Sequence, residues 1–246
     1  MDPTIDFFQL QLSFAKQVAQ VTQVALEETL LAYTTFYLSF ELDRSFDPAH
    51  PIWQTYLEGL KHTADPAQWT YTMHQHQRTV LTADLYGCFY YSYLPEEQAI
   101  RVHFINRETA EQGALSQARQ AERVQELARM FRAIQSTHPQ AKVVRGGSWL
   151  YHLDAYRRLF PSEYVRTAQP IDDEFQFMAL WGQFLTRHGQ VRAPERASFL
   201  ACLQQQTTLA GLKQCFPYQV LRPVCSIEHF YRFYEPWWGS EASGVL

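Results

Sequence analysis

RVHFINRETAEQGALSQARQ, residues 101–120, and KVVRGGSWLYHLDAYRRLFP, residues 142–161, enclose one helical stretch, and their reading decides the fold. Ile100, Val102 and Phe104 alternate with Arg101 and His103, the period of two that gives a strand one buried face. Between the two quoted runs, Val124, Leu127, Ala128, Phe131 and Ile134 recur at three- and four-residue steps. Arg119, Glu122, Arg123 and Glu126 fall outside that stripe, so a helix is predicted from about Leu115 to Gln135. His138-Pro139 stops it. Lys142 to Leu150 predicts a strand, Asp154 to Leu159 a short helix, and Tyr164 to Ala168 another strand.

Upstream, the aromatic run from Leu85 to Tyr93 predicts a mid-sheet strand. Pro95-Glu96-Glu97-Gln98 makes the turn that pairs it with Ile100–Phe104 as an antiparallel hairpin. Trp69, Tyr71 and Met73 alternate with Thr70, Thr72 and His74, and predict one strand more. The central order is then β-β-β-α-β-α-β. Phe7, Leu10, Phe14, Val18, Val21 and Ala25 give the first forty residues a helical face, with Asp2-Pro3 at its start. Asp47-Pro48 and His50-Pro51 mark a loop, Ile52 to Leu60 a short helix, and Asp65-Pro66 its close. After Pro170, Asp172, Asp173 and Glu174 suit the first turn of a helix carrying Phe175, Met178, Trp181 and Leu185. Pro194–Gln206 and Leu209–Cys215 predict two further helices, and Ser226 the cap of a last one. The expected class is α+β: a helical region over 1–66, an α/β core over 67–168, and a helical region over 169–246 packed on that core.

Charged residues make up 19% and hydrophobic ones 46%, a balance that supports a packed core and excludes a disordered chain. Net charge is −4 and the basic residues are dispersed, so no nucleic-acid partner is expected. No uncharged apolar run reaches bilayer length, so no membrane association is expected either. The chain opens Met1-Asp2-Pro3 and its first basic residue is Lys16, unlike a secretory leader. Cys88, Cys202, Cys215 and Cys225 lack Cys-x-x-Cys spacing and are expected to be reduced, in a cytoplasm.

The two quoted stretches resemble the GNAT-like C-terminal domain of bacterial acyltransferase-like proteins. The features that match are the Val102-His103 pair on a strand, then Ser148-Trp149-Leu150, and Pro161 after a short helix. Gly147 stands where that family often has His before Ser148. Tyr156-Arg157-Arg158-Leu159-Phe160 is similar to the tyrosine-bearing helix of the wider GNAT fold. The resemblance implies a GNAT-like mixed sheet flanked by helices, and transfer of an acyl group from a CoA-type thioester to an amine or hydroxyl of a small-molecule substrate. It also admits a catalytically inactive binding module on the same fold. Acyl-CoA would be the co-substrate, held by the loop Arg107–Ala114 with Arg107, Gly113 and Ala114 as the candidate contacts, where GNAT enzymes usually carry Gln/Arg-x-x-Gly-x-Gly/Ala. That loop departs from the pattern in having one glycine, and Glu108 and Glu111 would repel phosphate.

Aminolysis of a thioester needs a base, an acid for the thiolate and donors for the oxyanion. His103 is the candidate base, because imidazole titrates near neutrality; the alternative is a histidine packed on the sheet. Tyr156 is the candidate acid by resemblance, against a packing tyrosine on an amphipathic helix. Ser148, Trp149 and Arg145 are the candidate substrate contacts; a core tryptophan and a surface salt bridge are the alternatives. Gly146-Gly147-Ser148-Trp149 lacks a nucleophile elbow. His74 and His76 share a face in the strand reading but lack a third ligand at useful spacing, so no metal is expected. The aromatic tail Phe230–Tyr234 with Trp237-Trp238 suits a pocket cap, a homo-oligomer surface, or docking on the core.

Overall fold

A computed structural model describes residues 3–42, 45–77, 85–106, 112–171 and 180–239. In chain order the helices α1 (Ile5–Thr22), α2 (Leu26–Tyr33), α3 (Phe36–Ser39), α4 (Pro51–His62) and α5 (Pro66–Gln77) come first. The hairpin strands β1 (Phe89–Leu94) and β2 (Ala99–Phe104), α6 (Gln120–Thr137) and β3 (Val143–Arg145) follow. Then come α7 (Asp154–Arg157), α8 (Ser162–Val165), β4 (Gln169–Pro170), α9 (Ala193–Gln205) and α10 (Leu209–Gln214). The described chain closes with β5 (Leu221–Arg222), β6 (Val224–Ser226) and α11 (Ile227–Tyr234). The class is α+β.

The chain forms two compact units, each built from two segments: Met1–Leu81 with Asp172–Tyr218, and Thr82–Ile171 with Gln219–Leu246. This division cuts across the expected segments, since residues 67–81 belong with the first helices and the last strand and helix with the sheet.

In the first unit α1 is apolar on two sides. Phe8, Leu12 and Ala15 share a core with Leu30, Phe36, Trp53 and Tyr56. Phe14 meets Trp181, Phe199 and Phe216 with ring centres 5.5, 5.8 and 5.2 Å away. The Trp181 indole N–H donates to the Tyr33 carbonyl at 3.0 Å, so this buried ring leaves no polar atom stranded. The predicted strand around Trp69–Met73 is instead the helix α5. Asp65 accepts the Ala67 and Gln68 amides at 3.1 and 3.0 Å, and Pro66 fits the first turn. The residues α5 buries are Ala67, Thr70, Met73 and His74, a helical spacing that the Trp/Tyr/Met alternation disguised. A disulfide joins Cys202 to Cys215, correcting the expectation of reduced thiols for that pair; Cys88 and Cys225 are free.

In the second unit the sheet order is β1-β2-β3-β6. The predicted hairpin forms with Phe89 opposite Phe104 and Leu94 opposite Ala99. Lys142–Leu150 contributes only the three residues of β3, parallel to β2, before the chain turns into a 3₁₀ helix at Trp149–His152. Tyr164–Ala168 is not a strand either, because α8 starts just after Pro161 and the extended chain is confined to β4. The predicted central helix is α6, and the His138 amide closes it on the Ile134 carbonyl at 2.8 Å. Ile100, Val102, Leu127, Phe131, Ile134 and Val144 form its core contact with the sheet. Phe131 also stacks on Phe230 and Tyr234 of α11, at 4.7 and 5.2 Å. Ser226 caps α11 as expected, its hydroxyl accepting the Glu228 amide. The predicted helix start at Asp172–Glu174 lies outside the described residues.

The head of the hairpin is tied to α6 through a buried charge. Tyr86 and Phe89 exchange backbone hydrogen bonds of 2.8 and 3.1 Å around the two-residue turn Gly87-Cys88. Gly87 sits at φ 63°, and a Cβ there would stand 1.8 Å from a Glu126 oxygen, so the turn requires glycine twice over. Glu126 accepts the Cys88 amide at 3.1 Å and pairs with Arg123 at 2.9 Å, both side chains almost fully buried. Burial raises the Glu126 carboxyl above its ordinary range, against the Cys88 amide and the Arg123 charge, which pull it down.

Glu126→Ala should therefore cost the second unit about 3–5 kcal/mol in urea unfolding, because it leaves Arg123 deprived of its buried partner. Glu122→Ala, at a half-exposed carboxylate on the same arginine, should cost under about 1 kcal/mol. Because the folded pKa of Glu126 lies above the unfolded one, its contribution to stability is complete below the ordinary carboxylate value. It is lost as pH rises through the raised value. Unfolding midpoints across that window should show this decline in the native protein and not in Glu126→Gln.

Candidate functional site

β2 is bonded to β1 along its whole length but to β3 only from Ala99 to Arg101. Beyond Arg145 the chain stays bonded on its edge away from β2, to the segment that carries β5 and β6. The Gly146 amide donates to the Pro223 carbonyl at 2.9 Å and the Ser148 amide to that of Leu221 at 3.1 Å. The two parallel strands thus part beside Val102, His103 and Phe104.

Tyrosines are packed next to this parting. A Cβ on Gly146 would lie 2.5 Å from the Tyr151 hydroxyl and 2.6 Å from its ring, so only glycine lets the ring approach. Tyr151 meets Tyr156 at 5.1 Å, and Tyr156 meets Phe104 at 5.9 Å. The Tyr151 and Tyr164 hydroxyls bond at 2.8 Å, and Tyr234 Oη donates to the Leu159 carbonyl at 2.7 Å. These tyrosines are fully buried. Burial pushes the Tyr156 and Tyr151 phenols well above their usual value, and their mutual proximity adds to the rise at Tyr156.

The opposite face of the sheet carries Tyr90, Ser92, Arg101, His103 and Arg145, all half-buried. His103 stacks on its cross-strand partner Tyr90, ring centres 4.5 Å apart and planes 13° off parallel. Its Nε2 is 3.0 Å from the Ser92 hydroxyl. Arg145 stands beside Arg101 in register and is ion-paired to Glu97 from the hairpin turn. The face therefore gathers an imidazole, two guanidinium groups, a hydroxyl and a phenol.

Of the residues singled out from sequence, His103 and Arg145 come together on this outer face. Tyr156 lies on the other side of β2, against Phe104. Ser148 accepts the Leu150 amide at 3.1 Å and so starts the 3₁₀ helix that carries half-buried Trp149. Ala114 is buried in the core at the entry to α6, next to half-buried Gly113. Arg107, with Glu108 and Glu111, lies outside the described residues. His74, now on a helix, bonds through Nδ1 to the Ser39 carbonyl at 2.8 Å. Among the described residues no group of three or more His, Cys, Asp or Glu side chains is placed to hold a metal.

No family model, curated protein or solved structure matches this chain. Its site is known by geometry alone. Among the described residues no helix is long and apolar enough to cross a membrane. With Cys202 and Cys215 joined, the cysteines no longer argue for a reducing compartment.

Tyr90 and Ser92 were missed in the sequence, although their signal was there. A four-residue turn at Pro95–Gln98 puts residue 94 opposite 99, and hence 90 opposite 103 and 92 opposite 101.

Gly146→Ala should destabilise the second unit by about 1–3 kcal/mol, because the closely packed Tyr151 ring must shift. Thermal unfolding of the variant measures this, with Gly113→Ala, where a Cβ meets open space, as the neutral comparison.

Proposed function

We propose that the second unit is a GNAT-like domain used as a binding module, in which the parting of the parallel strands is kept and acyl-transfer chemistry is not. The carrying observation is the position of Tyr156, whose hydroxyl lies in the buried tyrosine cluster while His103 lies on the opposite face of β2. The acid and base of thioester aminolysis must reach one reacting centre, and geometry is the first requirement for either. Raising the Tyr156 phenol far above neutrality also makes it a poor match to the leaving thiolate. The other candidate groups have structural work: Arg145 pairs with Glu97, and Ser148 caps a 3₁₀ helix.

One observation favours the second reading, an acyltransferase moving an acyl group from a CoA-type thioester to an amine or hydroxyl. It is the end of β2–β3 pairing at Arg101 and Arg145, beside the candidate base. A pantetheine arm pairs with strand-edge groups in such an opening.

Calorimetric titration with acetyl and longer acyl-CoA, run beside an assay for thiol release, separates the two. The binding-module reading expects no thiol release above buffer hydrolysis from the native protein, and the same null result from His103→Ala and Tyr156→Phe. Thiol release that depends on an amine acceptor and drops by about 100-fold or more in His103→Ala overturns it in favour of catalysis.

A further inference from the structure

The face of α6 turned away from the sheet carries Gln125, Arg129, Arg132 and Ser136 at steps of four, three and four residues, so they form one stripe. After α11 the chain makes a 3₁₀ turn at Glu235–Trp237, which brings Trp237 and Trp238 against this stripe. Arg132 Nη1 donates to the Trp238 carbonyl at 2.9 Å and fixes the turn to the helix. Between them lies a groove of about 530 Å³, within the range of small-molecule sites.

Three features of this groove point to the same ligand chemistry. Arg129 and Arg132 are both exposed, and neither forms an ion pair with a carboxylate of the described residues, unlike Arg119, Arg123, Arg145 and Arg157. Among the described residues no acidic side chain lines the groove, although Arg129 also interacts electrostatically with Glu126 of the same helix. Trp237 and Trp238 supply the apolar wall, Trp237 being the more exposed of the two. Two cations set to grip an anion and an indole wall together select a flat apolar body bearing a carboxylate.

We infer that the groove between α6 and the Trp237-Trp238 turn is a binding site for a small aromatic carboxylate. The carboxylate lies between the Arg129 and Arg132 guanidinium groups and the aromatic body lies against the indoles. This goes beyond the proposed function and does not depend on it, because the groove uses none of the residues around β2 and β3.

The test is calorimetric titration of the full chain with 2-naphthoate, with 2-naphthylmethanol as the same body without charge, and with inorganic phosphate as charge without the body. Naphthoate is expected to saturate at about 1 mM or below, and the alcohol to bind about tenfold more weakly. Phosphate is expected to give no saturation in that range. Arg129→Gln, an exposed change, is expected to weaken naphthoate about tenfold while leaving the circular dichroism spectrum unchanged. Trp237→Leu is expected to weaken naphthoate and the alcohol alike. Equal affinity for naphthoate and the alcohol overturns the proposal, as does unchanged affinity in Arg129→Gln or the lack of any saturable heat. Naphthoate binding seen only in a chain ending at Gly239 also overturns it, since residues 240–246 would then occupy the groove.

Discussion

The second unit depends on one buried carboxylate. Glu126 reaches from the middle of α6 to the amide of Cys88 at the head of the β1–β2 hairpin, and Arg123 balances its charge from the same helix. Hydrophobic contacts between α6 and the sheet are non-directional, whereas a hydrogen bond to one amide is specific in position. The bond therefore sets how far along the sheet the helix sits. Gly87 is required by the same contact, since a side chain there would occupy the space of the carboxylate. Helix position in turn fixes the loop entering α6 and the stripe that faces the tryptophan turn.

From this anchor the sheet acquires two faces of different character. The face toward α6 and α11 is filled by aliphatic and aromatic side chains, and the tyrosines at the β2–β3 parting extend that core. The other face gathers His103, Ser92, Tyr90 and the two arginines, none fully buried. A single residue's step along β2 moves a side chain from one environment to the other. That is why Phe104 and His103, adjacent in sequence, touch Tyr156 and Tyr90 respectively.

The hairpin, α6 and the Ser226 cap were legible because each is specified locally, by a turn, a period or a capping hydroxyl. The helix α5 was not. Trp69, Tyr71 and Met73 carry the large side chains, but the side that is buried runs through Ala67, Thr70, Met73 and His74, where small and polar residues mask the period. Thr70 can be buried because its hydroxyl bonds to the Pro66 carbonyl and to Tyr56, a partnership invisible in the sequence. The Cys202–Cys215 pairing rests on the approach of α9 to α10, which spacing alone does not give. At the candidate site, the strand places His103 correctly on the face opposite Val102 and Phe104. The facing of Tyr156 was not legible, because a four-residue helix takes its orientation from what it packs on.

The two-segment construction of each unit bears on how the protein is made. Phe14 belongs to a cluster with Trp181, Phe199 and Phe216, so the aromatic side of α1 emerges from the ribosome long before its partners are translated. In the interval the whole stretch 82–171 is synthesised. That stretch also waits, because β6 and α11 lie beyond residue 218. Neither unit can finish folding as a growing nascent chain before the other has begun. Each must keep greasy surface from mispairing during elongation, a task for which sticky intermediates ordinarily recruit chaperones.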